Sequence, residues 1–292
     1  MWGKRGSSWT PVVVVLMSGL FLLTVSVLAS TLFMGGPGGF GSRGTGGEYP
    51  SREGVFTAFG RSSTYRVFDD GVDRSRPVGV VVRLHGDGDG ETEAPHHLLS
   101  GLAEVAAGEN KILVAPRSPE GQQGPVWWHD LNRNVAWLGE FIEEVVLAEP
   151  GVDRSDIWWM GYSGGAEMIT YGLLPQRHEL VTGGAVMLGG GGAPEDFAGP
   201  GPSPDKAASL QLSWTTGELD DGTRTEDHFD ALTASREGAR WYRGRGFRNI
   251  TTCFPEGYGH YDLPQAEILE LALIAGRERA VGARGADGIC IG

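Results

Sequence analysis

The stretch that decides the fold is residues 157–165, which read Ile-Trp-Trp-Met-Gly-Tyr-Ser-Gly-Gly. An apolar run ends here in the pattern Gly-x-Ser-x-Gly, centred on Ser163. This pattern can hold a serine on a sharp turn between a strand and a helix, where the hydroxyl stands clear of the sheet. The chain has 48 glycines among 292 residues, so the pattern is weak evidence by itself and needs support from its surroundings.

Apolar runs and amphipathic segments alternate on both sides of this stretch. Strands are predicted at Val55–Phe59, Thr64–Asp69, Val78–Leu84, Lys111–Ala115, Ile157–Met160, Gly184–Leu188, Leu210–Thr215 and Asn249–Phe254. Helices are predicted from Asp130 to Pro150, over Gly164–Leu174 with a stop at Pro175, around Glu226–Tyr242 and over Ala266–Ala275. Two opening strands followed by strands separated by helices predict a mostly parallel, eight-stranded sheet with helices on both faces. This is the α/β-hydrolase order, with no large lid domain.

A serine nucleophile needs a histidine to accept its proton and a carboxylate to orient that histidine. On this fold the order along the chain is serine, acid, histidine. Three histidines follow Ser163: His178 comes too early, His228 lies at a predicted helix start, and His260 follows the last strand. His260 is therefore the predicted base.

The acid is expected just after strand Leu210–Thr215, where three carboxylates fall within four residues. The spacing Gly217-x-x-Asp220 favours Asp220, while Asp221 and then Glu218 remain alternatives.

Backbone N–H groups that hold an oxyanion are expected from Gly164 and from the turn after Val78–Leu84. That turn reads His85-Gly-Asp-Gly-Asp-Gly-Glu91, so Asp87 or Gly88 is the predicted second donor. A nucleotide loop is disfavoured because the glycine spacing is wrong and the carboxylates would repel a pyrophosphate. A calcium loop built on Asp87, Asp89 and Glu91 is the weaker alternative, because the spacing departs from an EF-hand.

Four side chains near these segments are predicted to bind the substrate. His85 begins the oxyanion turn, Trp127 and Trp128 lie in the loop after strand Lys111–Ala115, and Tyr162 precedes the serine. The two tryptophans could line an acyl or aromatic pocket, with packing beneath the loop as the alternative. Trp158 and Trp159, by contrast, are predicted to lie in the core. No cofactor and no metal is predicted.

With these residues in place, the chain resembles the α/β hydrolases of the polyhydroxybutyrate-depolymerase and feruloyl-esterase-like group. The motifs that carry the resemblance are Leu84-His85-Gly86, the segment 151–168, Gly217-x-x-Asp220 and Gly259-His260. The resemblance implies that Ser163, Asp220 and His260 hydrolyse an ester outside the cytoplasm. The sequence departs from that group in two ways: the turn after His85-Gly86 is unusually acidic, and the cysteines common near the site in those esterases are missing.

The N-terminal segment is predicted to lie outside the catalytic domain. Lys4 and Arg5 precede an apolar run that ends at Met34, so residues 1–34 are expected to be a signal peptide or a membrane anchor. Residues 35–48 are Gly-rich and are expected to form a linker, and residues 49–292 the catalytic domain. Export would allow the only two cysteines, Cys253 and Cys290, to form a disulfide.

The net charge of −13 argues against nucleic acid as a partner. The expected partner is a small or polymeric ester, with a tether to the membrane through the N-terminal segment as a further possibility. Two other functions stay open at this point. One is an acyltransferase or peptidase that acts on cell-envelope material, and the other is a catalytically silent scaffold at the cell surface.

Overall fold

The computed structural model describes residues 49–90, 96–119, 124–280 and 290. The described residues belong to one compact unit, Gly46–Gly292. The second unit, Met1–Thr45, and the predicted segments 1–34 and 35–48 lie outside the described residues.

Eight strands form one sheet in the order β1-β2-β4-β3-β5-β6-β7-β8. Their bounds are β1 Arg52–Ala58, β2 Arg61–Phe68, β3 Val78–Leu84, β4 Lys111–Pro116, β5 Val152–Tyr162, β6 Gly184–Leu188, β7 Gln211–Thr215 and β8 Ile250–Cys253. The first two strands pair in antiparallel fashion, β2 pairs antiparallel with β4, and all the other pairs are parallel. The predicted α/β-hydrolase architecture is confirmed, and no lid domain interrupts the part of the chain that the structure describes.

The register of the parallel strands brings the predicted site residues to one edge of the sheet. Leu84 on β3 lies opposite Gly161 on β5, and Tyr162 lies opposite Leu188 on β6. Leu188 in turn lies opposite Thr215 on β7. The residues that follow these strands therefore begin at nearly the same level, which is where ligands bind in open α/β sheets.

In the described ranges, seven α-helices lie between the strands or after the last one: α1 His96–Gly108, α2 Leu131–Phe141, α3 Gly164–Glu167, α4 Leu174–Arg177, α5 Pro204–Ser209, α6 Ala231–Gly244 and α7 Gln265–Ala280. A π-helical turn, Met168–Leu173, joins α3 to α4, and a second, Ile142–Val146, extends α2. The predicted stop at Pro175 is wrong, because Pro175 lies in the first turn of α4, where its missing N–H is tolerated. The sequence analysis also missed α1, although Leu98, Leu99 and Leu102 have helical spacing.

Two apolar layers cover the two faces of the sheet. One contains Leu99 from α1 and Leu269 from α7; the other contains Val135 from α2, Ile169 and Ala239 from α6. Successive residues of β3 alternate between the layers, because neighbouring side chains in a strand point to opposite faces. Trp158 and Trp159 are 4% and 0% exposed, so their predicted core positions are confirmed.

Cys253, the last residue of β8, forms a disulfide with Cys290, as predicted. None of the helices in the described ranges is both long and apolar enough to span a bilayer.

Candidate active site

Ser163 occupies a sharp turn between β5 and α3. Its backbone has φ 49° and ψ −120°, a region that costs free energy for any residue other than glycine. The turn is held from both sides, because the Ser163 N–H donates to the Leu188 carbonyl (2.8 Å) and the Ser163 carbonyl accepts from Ala166 N (2.8 Å). The serine side chain thus begins at the carboxyl edge of the sheet, where it is half-buried.

The two glycines of the Gly-x-Ser-x-Gly pattern make this turn possible. A Cβ at Gly165 would lie 2.7 Å from the His85 carbonyl oxygen and closer still to that of Leu84. A Cβ at Gly161 would meet the Gly165 carbonyl. Neither position has room for a side chain, so the helix packs directly against the ends of β3 and β5.

His260 and Asp220 are joined by a hydrogen bond of 2.7 Å between Nδ1 and Oδ2. Asp220 is 1% exposed, and because an ionised carboxylate only accepts, Nδ1 is the donor. In the neutral ring, a proton on Nδ1 leaves Nε2 as the acceptor, which is the tautomer that a general base requires.

The alternative acids do not reach the histidine. Asp221 accepts hydrogen bonds from the Thr223 N–H (3.1 Å) and hydroxyl (2.6 Å) instead, and Glu218 is exposed. Of the three neighbouring carboxylates, only Asp220 is paired with His260.

Ser163 and His260 flank the same glycine loop, Gly189–Gly192, which follows β6. A Cβ at Gly189 would lie 3.2 Å from both Cε1 and Nδ1 of His260, and one at Gly190 would lie 3.4 Å from the Ser163 carbonyl oxygen. Among the described residues no hydrogen bond joins the Ser163 hydroxyl to the imidazole. In ligand-free enzymes such a bond is often long and tightens when substrate binds.

The backbone N–H groups of Gly164, which follows Ser163, and of Asp87, whose carboxylate packs against Gly164, have no hydrogen-bond acceptor among the described residues. Gly88, which was also predicted as a donor, has its N–H directed to the Pro125 carbonyl (3.3 Å). The prediction for Gly88 is therefore corrected. Gly88 has a positive φ of 82°, and Asp87 stays the predicted partner of Gly164 in an oxyanion site.

The Asp87 carboxylate packs against Gly164 and accepts a hydrogen bond of 3.0 Å from Trp128 Nε1. Loss of solvation raises the pKa of Asp87, opposed mainly by the Trp128 hydrogen bond and by the nearby His129 and His260. Trp128 is 41% exposed, so its side chain is accessible, and its contact with a substrate stays a prediction.

The other three predicted substrate-binding residues have buried side chains. Trp127 is 0% exposed and packs on His85, with ring centroids 5.1 Å apart. Tyr162 donates to the His260 carbonyl (3.0 Å) and lies under the imidazole at 5.0 Å between centroids. Trp127, Tyr162 and His85 are 0%, 8% and 4% exposed, so they pack beneath the site, and their contact with a substrate stays a prediction.

His85 supports the oxyanion turn as a neutral imidazole. Its Nε2 accepts from the Ser118 N–H (3.0 Å), and its Nδ1 donates to the Gly86 carbonyl (2.6 Å). Burial lowers the pKa of His85 to about 4, so the ring carries no charge at neutral pH.

Within the acidic turn, Asp89 is already paired with a side chain of the protein. The buried Asp89 carboxylate accepts a hydrogen bond of 2.6 Å from Arg117, and Glu91 lies outside the described residues. Across the described ranges, no group of three or more His, Cys, Asp or Glu side chains is placed to hold a metal ion.

The sequence analysis missed Glu167. Its carboxylate is 5% exposed and accepts hydrogen bonds from the Gly191 and Gly192 N–H groups (2.9 and 3.0 Å). A charged residue four positions after the serine, in an otherwise apolar helix, was the available signal.

The fold and the strand order are those of the α/β hydrolases. A thermostable esterase superposes with a TM-score of 0.54 at 18% identity; the match covers 76% of this chain and 60% of that one. A feruloyl esterase module from Clostridium thermocellum gives 0.53 at 14%, covering 77% and 88%. An α/β serine hydrolase without a lid, from Xanthomonas campestris, gives 0.51 at 14%, covering 79% and 94%.

No protein-family model matches this sequence, and no curated protein matches it either. The likeness to the solved structures therefore establishes the fold, and the chemistry must be argued from the site.

Proposed function

We propose that this protein is a serine hydrolase that cleaves carboxylic esters. The observation that carries the proposal is the Asp220–His260 hydrogen bond at the same sheet edge as Ser163, whose backbone is strained. The esterase structures that share the fold support the same reaction class.

In the proposed reaction, the Ser163 hydroxyl attacks the ester carbonyl carbon while His260 Nε2 takes its proton. Asp220 keeps Nδ1 protonated and stabilises the imidazolium that forms. The N–H groups of Gly164 and Asp87 would hold the oxyanion of the tetrahedral intermediate. Collapse of that intermediate expels the alcohol, which takes the proton from His260, and leaves an acyl-serine. Water activated by the same imidazole then releases the acid.

We also propose that the protein acts outside the cytoplasm, with residues 1–34 as a signal peptide or anchor and residues 35–48 as a linker. The disulfide between Cys253 and Cys290 supports this location, because such bonds persist in oxidising compartments.

The test of the reaction uses p-nitrophenyl esters of short acids. Wild type should release p-nitrophenol, and Ser163→Ala should lose activity by on the order of 10⁴-fold or more at unchanged thermal stability. A fluorophosphonate probe should label wild type at Ser163. Equal turnover by wild type and Ser163→Ala would overturn the proposal.

Neighbouring carboxylates supply the matched control. Asp220→Asn should lower kcat roughly 10⁴-fold, as expected when a triad loses its acid. Asp221→Asn should keep wild-type activity. The reverse result would assign the acid to Asp221. Absence of fluorophosphonate labelling in wild type would favour the silent scaffold, and transfer of the acyl group to an added alcohol or amine would favour the acyltransferase.

A further inference from the structure

The loop Gly189–Gly192 packs against both members of the Asp220–His260 pair. A Cβ at Gly189 would lie 3.2 Å from the imidazole and 3.4 Å from Asp220 Oδ2. Gly189, Gly190 and Gly191 all have positive φ, at 55°, 155° and 91°. A run of glycines is flexible by itself, so contacts with neighbouring residues must fix the backbone conformation of this loop.

Two neighbours hold the carbonyl groups of the loop. The Ser235 hydroxyl donates to the Gly190 carbonyl (2.8 Å) and Trp214 Nε1 donates to the Gly191 carbonyl (2.8 Å). Both come from the far side of the loop, on α6 and β7. They fix the loop to the scaffold and make no link to the serine.

Glu167 makes that link. Its backbone N–H donates to the Ser163 carbonyl (3.1 Å), and its carboxylate accepts from the N–H groups of Gly191 and Gly192. One residue therefore joins the serine turn to the loop that supports His260. A Cβ at Gly190 would lie 3.0 Å from Glu167 Oε1, so the loop passes directly over the carboxylate.

The charge of Glu167 has no Lys or Arg partner among the described residues. Burial raises the pKa of Glu167 overall, although the N–H groups of Gly192 and Gly191 and the side chain of Tyr171, one turn further along, act to lower it. Burying a carboxylate costs free energy unless it is fully hydrogen-bonded. The N–H groups of Gly191 and Gly192 offset part of that cost and also fix where the loop must lie.

We propose that Glu167 is a positioning residue, whose carboxylate holds the Gly189–Gly192 loop and thereby sets the Asp220–His260 pair relative to Ser163. The inference rests on the proposed function. Without the carboxylate, two buried N–H groups lose their acceptor, the loop shifts, and the imidazole moves with it. Displacement of a reacting group by about 1 Å can cost on the order of 100-fold in rate.

The variant that tests this is Glu167→Gln, which keeps the shape but presents an amide NH₂ to one glycine N–H. It should lower kcat on p-nitrophenyl acetate by about 10- to 100-fold, with KM within about twofold, because the loop acts on the chemical step rather than on binding. The rate of fluorophosphonate labelling at Ser163 should fall in parallel. The matched control is Glu237→Gln, an exposed carboxylate that also faces Tyr171, which should change neither quantity.

Glu167→Asp is the second variant in case Glu167→Gln does not fold, since it keeps the charge but is too short to reach both N–H groups. It should show the same loss of kcat at unchanged KM. Wild-type kcat in either folded variant, whatever the change in thermal stability, would overturn the inference while leaving the proposed function intact. Failure of the fluorophosphonate to label wild type would overturn both.

Discussion

At the scale of the residue, the site depends on groups that are forced into unusual states by their neighbours. Ser163 has a positive φ because the peptide groups on both sides of it are hydrogen-bonded, to β6 and to the start of α3. His85 is kept neutral because it is buried between the oxyanion turn and Trp127. In both cases the surrounding structure supplies the free energy that the local state costs.

The buried His85 predicts a specific dependence of stability on pH. Its pKa is about 4 in the folded protein against 6.5 ordinarily, so the unfolded chain binds a proton first as the pH falls. The free energy of unfolding should therefore be highest above pH 6.5 and fall by about 3 kcal/mol as the pH is lowered to 4.

Urea unfolding of wild type and His85→Gln at several values between pH 7.5 and pH 4 measures this dependence. The glutamine can still accept a hydrogen bond from the Ser118 N–H but does not titrate. The free energy of unfolding of this variant should therefore fall by about 3 kcal/mol less than that of wild type over the same pH range. Parallel curves for the two proteins would show that His85 is not the group responsible.

At the scale of the element, the serine turn requires α3 to start in direct contact with the ends of β3 and β5. Gly161 and Gly165 allow this contact, and the π-helical turn Met168–Leu173 then leads into α4, whose first turn contains Pro175. The glycines of the Gly-x-Ser-x-Gly pattern are thus needed for packing between elements as much as for the turn itself.

Gly165→Ala tests this contact. The added Cβ meets two carbonyl oxygens of the backbone, which cannot move aside as a flexible side chain could. We expect a loss of about 2 to 3 kcal/mol in the free energy of unfolding, together with reduced esterase activity.

Gly108→Ala, at the end of α1 where the added Cβ meets open space, is the control for that experiment. It should be neutral or slightly stabilising, because alanine favours helix more than glycine does. Equal stability of the two variants in urea unfolding would refute the packing argument.

At the scale of the whole molecule, the disulfide joins the end of the edge strand β8 to Cys290, 37 residues later. The crosslink restricts the unfolded chain, and a loop of that length is worth about 4 kcal/mol by the chain-entropy estimate. Its formation depends on the compartment in which the chain folds.

We therefore expect the full chain to be recovered outside the cytoplasm with both cysteines oxidised. A chain that lacks residues 1–34 should remain in the cytoplasm with reduced thiols and a free energy of unfolding lower by about 4 kcal/mol. Cell fractionation, thiol alkylation with mass measurement, and urea unfolding test this, with the Cys253→Ser, Cys290→Ser double variant as the reduced reference. Recovery of the full chain only in the cytoplasm would contradict the proposed location.

The sequence by itself determined the order of the strands and the residues at their ends. Buried strands are continuous apolar runs, and parallel strands end at one edge of the sheet, so local patterns could place Ser163, Asp220 and His260 after neighbouring strands. The same logic failed for α1, because its helical spacing was overlooked. It also failed for Pro175, which lies in the first turn of α4 after a π-helical turn.

Only the tertiary structure decided which of two neighbours within a turn contacts a distant segment. Asp220 and Asp221 differ by one position, and Asp87 and Gly88 likewise, so the direction of each group depends on hydrogen bonds to distant segments. The burial of His85, Trp127 and Tyr162, and the link that Glu167 makes between the serine turn and the Gly189–Gly192 loop, arise from contacts between segments far apart in the chain. Local patterns record what a segment prefers, whereas a side chain's accessibility and partners are set by what packs against it.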